Sequence, residues 1–299
     1  MLPTPEIYFS IIMPTYNRAH FLPGVIDSVL NQTFANWELI LIDNHSTDST
    51  NDFLESITDR RVKILKIDNG GSISASRNLG LIKSSGQWLA YLDSDDLWEP
   101  QKLERCYSYT EKEFDFIYHD MHILSEGLAD QKLTSRQVRT PVLRDLLLFG
   151  NTIVTSSVVA RRDVISDIGF MDERTELQKS GDFHSWLRVS EVTDRFIHIP
   201  DLLGSYRIHE SNISNLDIFE STWSAIEPFI YHLNIKEQKI VERNLVIEQI
   251  RIYINSGFLR SGLRFTPKAL AVGTYLLKLN TLLRIIQILI RKTLAPKRN

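Results

Sequence analysis

The stretch WLAYLDSDDLWEP (residues 88–100) sets an apolar run directly before three carboxylates, Asp93, Asp95 and Asp96. An apolar run of this length, bounded by charge, reads as a buried strand. Carboxylates a few ångströms apart repel and drive one another's pKa upward unless a cation or strong donors compensate. In D-x-D, Asp93 and Asp95 project to the same side if the backbone stays extended, and hard oxygen ligands suit Mg²⁺ or Mn²⁺. The bland alternative is a solvated turn in which an Asp caps a helix beginning near Trp98.

The flanking sequence favours the first reading. Upstream, YFSIIMP (residues 8–14) is a short apolar strand ended by Pro14, and TYNRAHFLPGVIDSVLNQ (15–32) is a loop running into a helix. WELILID (37–43) is a second buried strand, STDSTNDFLESI (46–57) a capped helix, RVKILKI (61–67) a third strand and SISASRNLGLIKSS (72–85) a third helix. Strands alternating with helices indicate βαβ units and a mostly parallel sheet, in which ligands collect at the carboxyl ends of the strands. Asp43 and Asp93 both fall at such ends. Downstream the alternation loosens: KLERCYSYTEKEF (102–114) is helical, DFIYHDMHIL (115–124) a strand, PVLRDLLLFG (141–150) a helix stopped by Gly150 and TIVTSSVVAR (152–161) β-rich. DFHSWLRVSEV (182–192) is helical and FIHIP (196–200) a strand before a loop, DLLGSYRIHESNIS (201–214); residues 216–299 are almost wholly helical. Soft boundaries fall near 100 and 215.

Composition sets the outer limits. Of 299 residues, 43% are hydrophobic and 24% charged, which describes an ordinary globular chain. The single cysteine, Cys106, forms no internal disulfide and leaves no cysteine-based metal site. The N-terminus lacks the pattern of a signal peptide, and no apolar run reaches the roughly 18 residues of a membrane span, so the expected compartment is the cytoplasm. Charge is uneven: ten of the 34 basic residues and none of the 37 acidic ones follow Glu248. A basic tail of this kind suits an anionic surface.

Four ordered segments, SIIMPTYNR, WELILIDNHSTDST, SASRNLG and YLDSDD, together resemble the inverting glycosyltransferase family 2, of GT-A fold, strongly over residues 8–105 and more thinly to about 214. The resemblance implies an α/β GT-A catalytic domain over residues 1–215, with a nucleotide-sugar half (1–100) and an acceptor half (101–215), followed by a helical extension (216–299). It implies a nucleotide-diphosphate sugar, UDP-, dTDP- or GDP-linked, as donor, with Mn²⁺ or Mg²⁺. The acceptor is then a glycan or a lipid-linked sugar, in bacterial cell-surface polysaccharide or lipopolysaccharide assembly. Nucleic acid is not an expected partner.

The likeness points to Pro14, Thr15, Tyr16 and Arg18 around the base, with Tyr16 either stacking on it or filling core. Asp43 and Asn44 fall where base and ribose are read, Asn44 standing where the family more often has Asp. Ser46, Thr47 and Asp48 cap the next helix or touch ligand. Arg77 neutralises the donor phosphate or makes an ordinary salt bridge. Asp93 and Ser94 reach the donor, Asp95 the cation, and Asp96 orients the loop on the acceptor side.

Inverting transfer needs a base opposite the leaving nucleotide. SGDFHSWLR (180–188) resembles the family's E-D-x-x-x-W-x-R region, with Gly181 where Glu is frequent. Asp182 falls on the base, or else caps the helix. Trp186 and Arg188 follow on the acceptor side, Trp186 as a floor or as core. YRIHESNIS (206–214) matches the end of the catalytic domain, where Arg207 adds charge and His209 is a metal or diphosphate ligand, or merely structural.

Competing classes are fewer. No strand is followed by GxGxxG and the P-loop pattern is absent. A D-x-D phosphatase leaves TYNR, IDN and SRN without a role, and a degenerate, non-catalytic sugar-binding module is disfavoured by the retained Asp95 and Asp182. In the tail, LLKLNTLLRIIQILIRK (276–292) carries Lys278, Thr281, Arg284, Gln287 and Arg291 on one stripe and leucines and isoleucines elsewhere. It is a basic amphipathic helix that either packs on the domain or attaches peripherally to an anionic inner membrane leaflet.

Overall fold

The computed structural model describes residues 7–125, 131–208, 218–255 and 263–267, together with 282, 285, 286, 288 and 289. The expected strands form where the apolar runs lie: β1 (Phe9–Thr15), β2 (Trp37–Asp43), β3 (Val62–Lys66) and β4 (Trp88–Tyr91). β2 and β4 are buried at every position. Burial on both faces is what a parallel sheet covered by helices on each side requires. Side chains divide by parity. Phe9, Ile11 and Met13 join Leu22, Val25, Ile26 and Val29 of α1 (Leu22–Leu30) in one core. Ile12 joins Ile40, Ile42 and Leu81, the last from α3 (Ile73–Lys83), in the other. The short α2 (Thr50–Glu55) links β2 to β3.

Register places the functional loops side by side. β1 pairs parallel with β2 from Phe9↔Trp37 to Thr15↔Asp43, and along its other edge with β4, up to Ile12↔Tyr91. The chain therefore winds outward through β2 and β3 and then returns across β1 to β4, giving the order β3-β2-β1-β4. Such a reversal opens a crevice at the carboxyl ends of β1 and β4.

Among the described residues the sheet has nine strands. After β5 (Leu97–Trp98) and α4 (Lys102–Thr110), β6 (Phe116–Leu124) pairs with the two-residue β7 (Lys132–Leu133). The helix α5 (Val142–Phe149) stops at Gly150, whose φ of 78° suits glycine. The segment TIVTSSVVAR is only partly strand: a 3₁₀ turn at Thr155–Ser157 precedes β8 (Val159–Arg161), which lies antiparallel to both β4 and β6. Then follow α6 (Arg162–Asp167), α7 (Gly181–Val192) and β9 (Phe196–Arg207). The loop expected at residues 201–214 is corrected in its first half, because β9 runs on to Arg207. Register shifts opposite His119–His122 bend the β6–β9 pair, and β9 then takes β5 as a second partner through Leu97↔Ser205.

Two further helices, α8 (Ile218–Ile226) and α9 (Ile235–Asn255), with the 3₁₀ turn Glu227–His232 between them, extend the core of Ile12, Ile40 and Ile42 through Ala225, Ile226, Phe229 and Val241. Most of the basic amphipathic stretch lies outside the described residues. Of its described members, Ile285 is buried against Val246, Ile247, Ile250 and Ile254 of α9, whereas Leu282 and Ile286 are exposed. No described helix is long and apolar enough to cross a membrane.

One polar knot ties the sheet near the starts of β1 and β2. Glu38 is 2% exposed and accepts from Ser10 Oγ (2.7 Å), Ser85 N (2.6 Å) and Lys63 Nζ (2.7 Å). Burial pushes its carboxyl up, but these donors together outweigh it and hold the pKa at about 2. Gly86 completes the knot by donating its N–H to Ser10 Oγ (2.8 Å), and a Cβ there would stand 2.6 Å from the Ser10 backbone nitrogen. Backbone cannot give way as a flexible side chain can. Gly86→Ala is expected to lower stability by about 1–3 kcal/mol, read as a lower urea midpoint with an unchanged m-value; an unshifted midpoint would mean that the β1 start moves freely.

Candidate active site

The loops at the carboxyl ends of β1, β2 and β4 enclose a cavity of about 390 Å³. Pro14, Thr15, Tyr16 and Arg18 line it after β1, Asn44 after β2, and Asp93, Ser94 and Asp95 after β4, with Arg77 entering from α3. Tyr16 is 52% exposed, so it is not core. The β1 and β2 loops brace one another. Asn17, at φ 51°, donates its N–H to Ser46 Oγ (2.8 Å) and accepts from Thr47 N (2.7 Å), while Arg18 N donates to Thr50 Oγ1 (3.0 Å). Asp48 accepts from Thr50 N (3.0 Å), so it serves the helix start. Ser46 and Thr47 serve the loop.

Asp43 needs a correction. Its side chain is fully buried and accepts from Ser46 Oγ (2.5 Å), which closes the turn, and it is not among the residues lining the cavity. The neighbouring Asn44 occupies the wall instead.

The acidic loop is compensated by arginines. Arg77 is 7% exposed, and its Nη2 donates to Asp93 Oδ1 at 2.5 Å. Burial disfavours its charge, but Asp93 and Asp182 more than offset this and raise its pKa. Its Nε has no hydrogen-bond partner among the described residues. Arg18 Nε stands 3.6 Å from Asp95 Oδ2, and Arg207 Nε donates to the Asp95 carbonyl (2.9 Å). Asp96 is 1% exposed and turned away from the cavity, its Oδ1 accepting from Arg207 N (2.9 Å). Burial, then the charge of Asp93, lifts its carboxyl well above the usual range. Asp96 is thus bonded to the β9 backbone within the protein and is too deep to contact an acceptor.

Asp182 begins α7, where its Oδ1 accepts from Phe183 N (2.7 Å) and its Oδ2 from Thr155 Oγ1 (2.8 Å). Burial raises its pKa, while Thr155 and Arg77 pull it back. The same 3₁₀ turn reaches the other side of the site, because Ser156 Oγ accepts from Asp93 N (3.0 Å) and Ser156 O from Trp98 Nε1 (2.8 Å). Gly181 stands where the motif more often has Glu. A Cβ at this position would stand 3.0 Å from Ser74 Oγ of α3, so α7 starts hard against α3.

Two acceptor-side expectations are corrected. Trp186 is fully buried, with its ring edge-on to Tyr91 (5.5 Å) and Phe116 (4.9 Å); one turn below Asp182, α7 already faces core. Arg188 Nη1 donates to Phe170 O (2.8 Å) and so pins the loop at Gly169 and Phe170, both at positive φ. Asn78 has a similar scaffolding part, exchanging hydrogen bonds with Met171 O and N. His209 lies outside the described residues.

The sequence reading also missed residues. Gly71, Ser72, Ile73 and Ser76, around the start of α3, line the cavity, as does Tyr206 of β9. Burial, then the charges of Asp96, Asp93 and Asp95, pushes the Tyr206 hydroxyl up to about 12. Its position beside Arg207 in the YRIH segment was the available signal. Thr155 and Ser156 carried none, since short hydroxyl side chains are common in any turn.

Among the described residues no group of three or more His, Cys, Asp or Glu side chains forms a metal cage. Asp93 and Asp95 are instead a pair of hard oxygen donors on a cavity wall. That suits a cation held by one or two carboxylates together with substrate phosphates.

Comparison with known proteins places this geometry in context. The description of glycosyl transferase family 2 matches residues 10–169. UDP-Glc:alpha-D-GlcNAc-diphosphoundecaprenol beta-1,3-glucosyltransferase WfgD of Escherichia coli is 31% identical over 225 residues, spanning 74% of this chain and 86% of that protein. The putative teichuronic acid biosynthesis glycosyltransferase TuaG of Bacillus subtilis is 26% identical over 229 residues, with the same two coverages of 74% and 86%. Residues 1–349 of S. aureus TarS, solved with UDP-GlcNAc, superpose with a TM-score of 0.64 at 18% identity, covering 94% of this chain and 81% of that one. Against a longer TarS structure the chain spans 54% of the length. Mannosyltransferase PcManGT of Pyrobaculum calidifontis, solved with GDP-Man and Mn²⁺, gives 0.61 at 15% identity, covering 99% and 89%.

Proposed function

The chain belongs to glycosyl transferase family 2 and has the GT-A fold, so it is a glycosyltransferase, and we propose that it moves a sugar, with inversion, from a nucleoside-diphosphate donor to a hydroxyl of a lipid-linked glycan in bacterial cell-surface polysaccharide assembly. The observation that carries this reading is the Arg77–Asp93 cavity wall tied to Asp182 through one 3₁₀ turn, in which Thr155 Oγ1 donates to Asp182 and Ser156 Oγ accepts from Asp93 N. The lipid-linked acceptor is suggested by the substrate in the name of the E. coli relative. In this reading residues 1–100 hold the donor, residues 101–215 carry the base, and the helices after 216 form the extension.

The step follows from the residues present. Tyr16 and Asn44 hold the base and ribose, and Arg77 lies against the diphosphate. The acceptor oxygen attacks the anomeric carbon from the side opposite the diphosphate, its proton passes to Asp182, and the carbon–oxygen bond to the leaving nucleoside diphosphate breaks with its electron pair going to the phosphate. Inversion follows from that single displacement. Asp95, with Asp93 beside it, would hold Mn²⁺ or Mg²⁺, and the bound cation would supply charge neutralisation at the diphosphate.

Thermal-shift screening of UDP-, dTDP- and GDP-sugars tests the donor assignment, since a ligand selective for the folded state raises apparent stability. The expected result is a shift for one nucleotide class that Mn²⁺ enhances and EDTA removes. Asp95→Ala should abolish the Mn²⁺-dependent part and lower transfer. Full transfer in EDTA would remove the cation from this site.

A further inference from the structure

Tyr206 stands in the wall of the donor cavity without a part in the displacement above. Strand alternation shows that its ring faces the space. Ser205 and Arg207, its neighbours on β9, are not among the lining residues, and the Arg207 guanidinium lies over the Phe21 ring instead (4.9 Å). Both edges of the strand hold this parity, Tyr206 pairing with Ile123 of β6 and Ser205 with Leu97 of β5. A Cβ on Gly204 would stand 2.7 Å from Leu97 O, so β9 is pressed against β5 just before the ring. Arg207 N, donating to Asp96 Oδ1 (2.9 Å), fixes the chain just after it.

The ring is thus held in place, but its hydroxyl has no hydrogen-bond partner among the described residues. The cavity's arginines differ: Arg77 Nη2 is bonded to Asp93, and Arg18 Nε stands 3.6 Å from Asp95. A phenol is protonated at neutral pH and can donate. Burial holds this proton more firmly still, followed by the charges of Asp96, Asp93 and Asp95 and, after them, Asp182. That order sets the hydroxyl closer to the acidic loop, where the diphosphate would lie, than to the base.

We propose that Tyr206 is a catalytic residue whose hydroxyl donates to the diphosphate oxygen that leaves the anomeric carbon. This rests on the transferase reading above. In the intact donor that atom is an ester oxygen of low charge. As the carbon–oxygen bond breaks, the electron pair stays on it, and a hydrogen bond from a fixed neutral donor strengthens at that moment. Tyr206 keeps its proton throughout, so Asp182 still takes the acceptor's proton and the nucleoside diphosphate departs as the anion. A hydroxyl that held the transferred sugar would instead bind donor and transition state alike and leave the free nucleoside diphosphate untouched.

The test compares full-length Tyr206→Phe with the parent in Mn²⁺. The probes are UDP, dTDP and GDP, each beside its sugar: UDP-glucose, dTDP-glucose and GDP-mannose. Calorimetry gives the affinities, and single-turnover release of nucleoside diphosphate to water gives the rate. Loss of the hydroxyl should slow release by about 10²-fold, the scale of a lost oxyanion donor. It should weaken the free nucleoside diphosphate, whose terminal phosphate carries the freed charge, by about tenfold. The intact nucleotide sugar should stay within about twofold, because its ester oxygen is a weak acceptor. A ring that merely packs would not separate the two affinities. Where the Phe variant fails to fold, 3,5-difluorotyrosine at position 206 carries the test: a nearly isosteric and more acidic donor should tighten the free diphosphate and not the nucleotide sugar. Equal changes in both affinities, a loss confined to the nucleotide sugar, or release at the parental rate overturns the assignment. A parent that binds none of the three nucleoside diphosphates would instead defeat the donor reading itself.

Discussion

Asp182→Asn is expected to cut transfer by about 10²- to 10⁴-fold, the usual contribution of a general base, while nucleoside-diphosphate affinity stays at the parental value. The amide keeps an oxygen that can accept from Phe183 N or Thr155 Oγ1, so the start of α7 is preserved. Single-turnover kinetics at saturating donor separate the chemical step from binding, and parental turnover would place the base on another residue. The pH profile adds a second check. Burial holds the Asp182 carboxyl above the ordinary range. Because the base works only when ionised, kcat should fall toward acid through that raised value. Thr155→Val removes a donor to the ionised form and should move the acid limb to higher pH. The stability effect has the opposite sense. A carboxyl whose folded pKa lies above its unfolded value contributes stability that is complete below the unfolded pKa and lost as pH rises through the folded one. Asp182 therefore weakens the fold near neutrality, and the Asn variant should melt no lower than the parent there.

Arg77→Ala carries the second large effect. The guanidinium is buried at the wall between the donor cavity and Asp182, bonded to Asp93 at 2.5 Å. A charged hydrogen bond to a diphosphate contributes about 1.5–3 kcal/mol, so Kd for the nucleoside diphosphate should rise about ten- to a hundredfold. Removing the arginine also leaves the Asp93 carboxylate without its ion-pair partner beside the buried Asp96, so the variant should melt lower. Arg77→Lys retains the charge but not the planar fork, and should fall between the two. Calorimetric titration with UDP and GDP in Mn²⁺ decides this. An unchanged Kd in a variant that melts lower would make Arg77 a scaffold residue alone.

The sequence was most informative where burial alone determines structure. Continuous apolar runs in β1, β2 and β4 have no stable place except between helices, and parallel pairing then puts their carboxyl ends together, so Thr15, Asn44 and Asp93 share one rim. It was least informative where parity or depth decides. Asp43 and Asn44 are adjacent at a strand end, and only the turn closed by Ser46 determines which of them faces the cavity. Trp186 shares a helical face with Asp182, but periodicity gives the face and not how far into the protein it reaches. The continuation of β9 to Arg207 depends on register shifts against β6, a property of two distant segments. Thr155 and Ser156 act through single hydroxyls whose partners lie 27 and 63 residues away.

That three-residue turn has a mechanical consequence. Thr155 holds Asp182 on one side and Ser156 holds Asp93 on the other, so both carboxylate residues are clamped to one short, buried piece of backbone. The gap between them is therefore gauged locally, like the opening of a calliper, and not by the long path through α4 to α7. In the proposed reaction, the spacing of base and donor site is thereby set by Thr155 and Ser156.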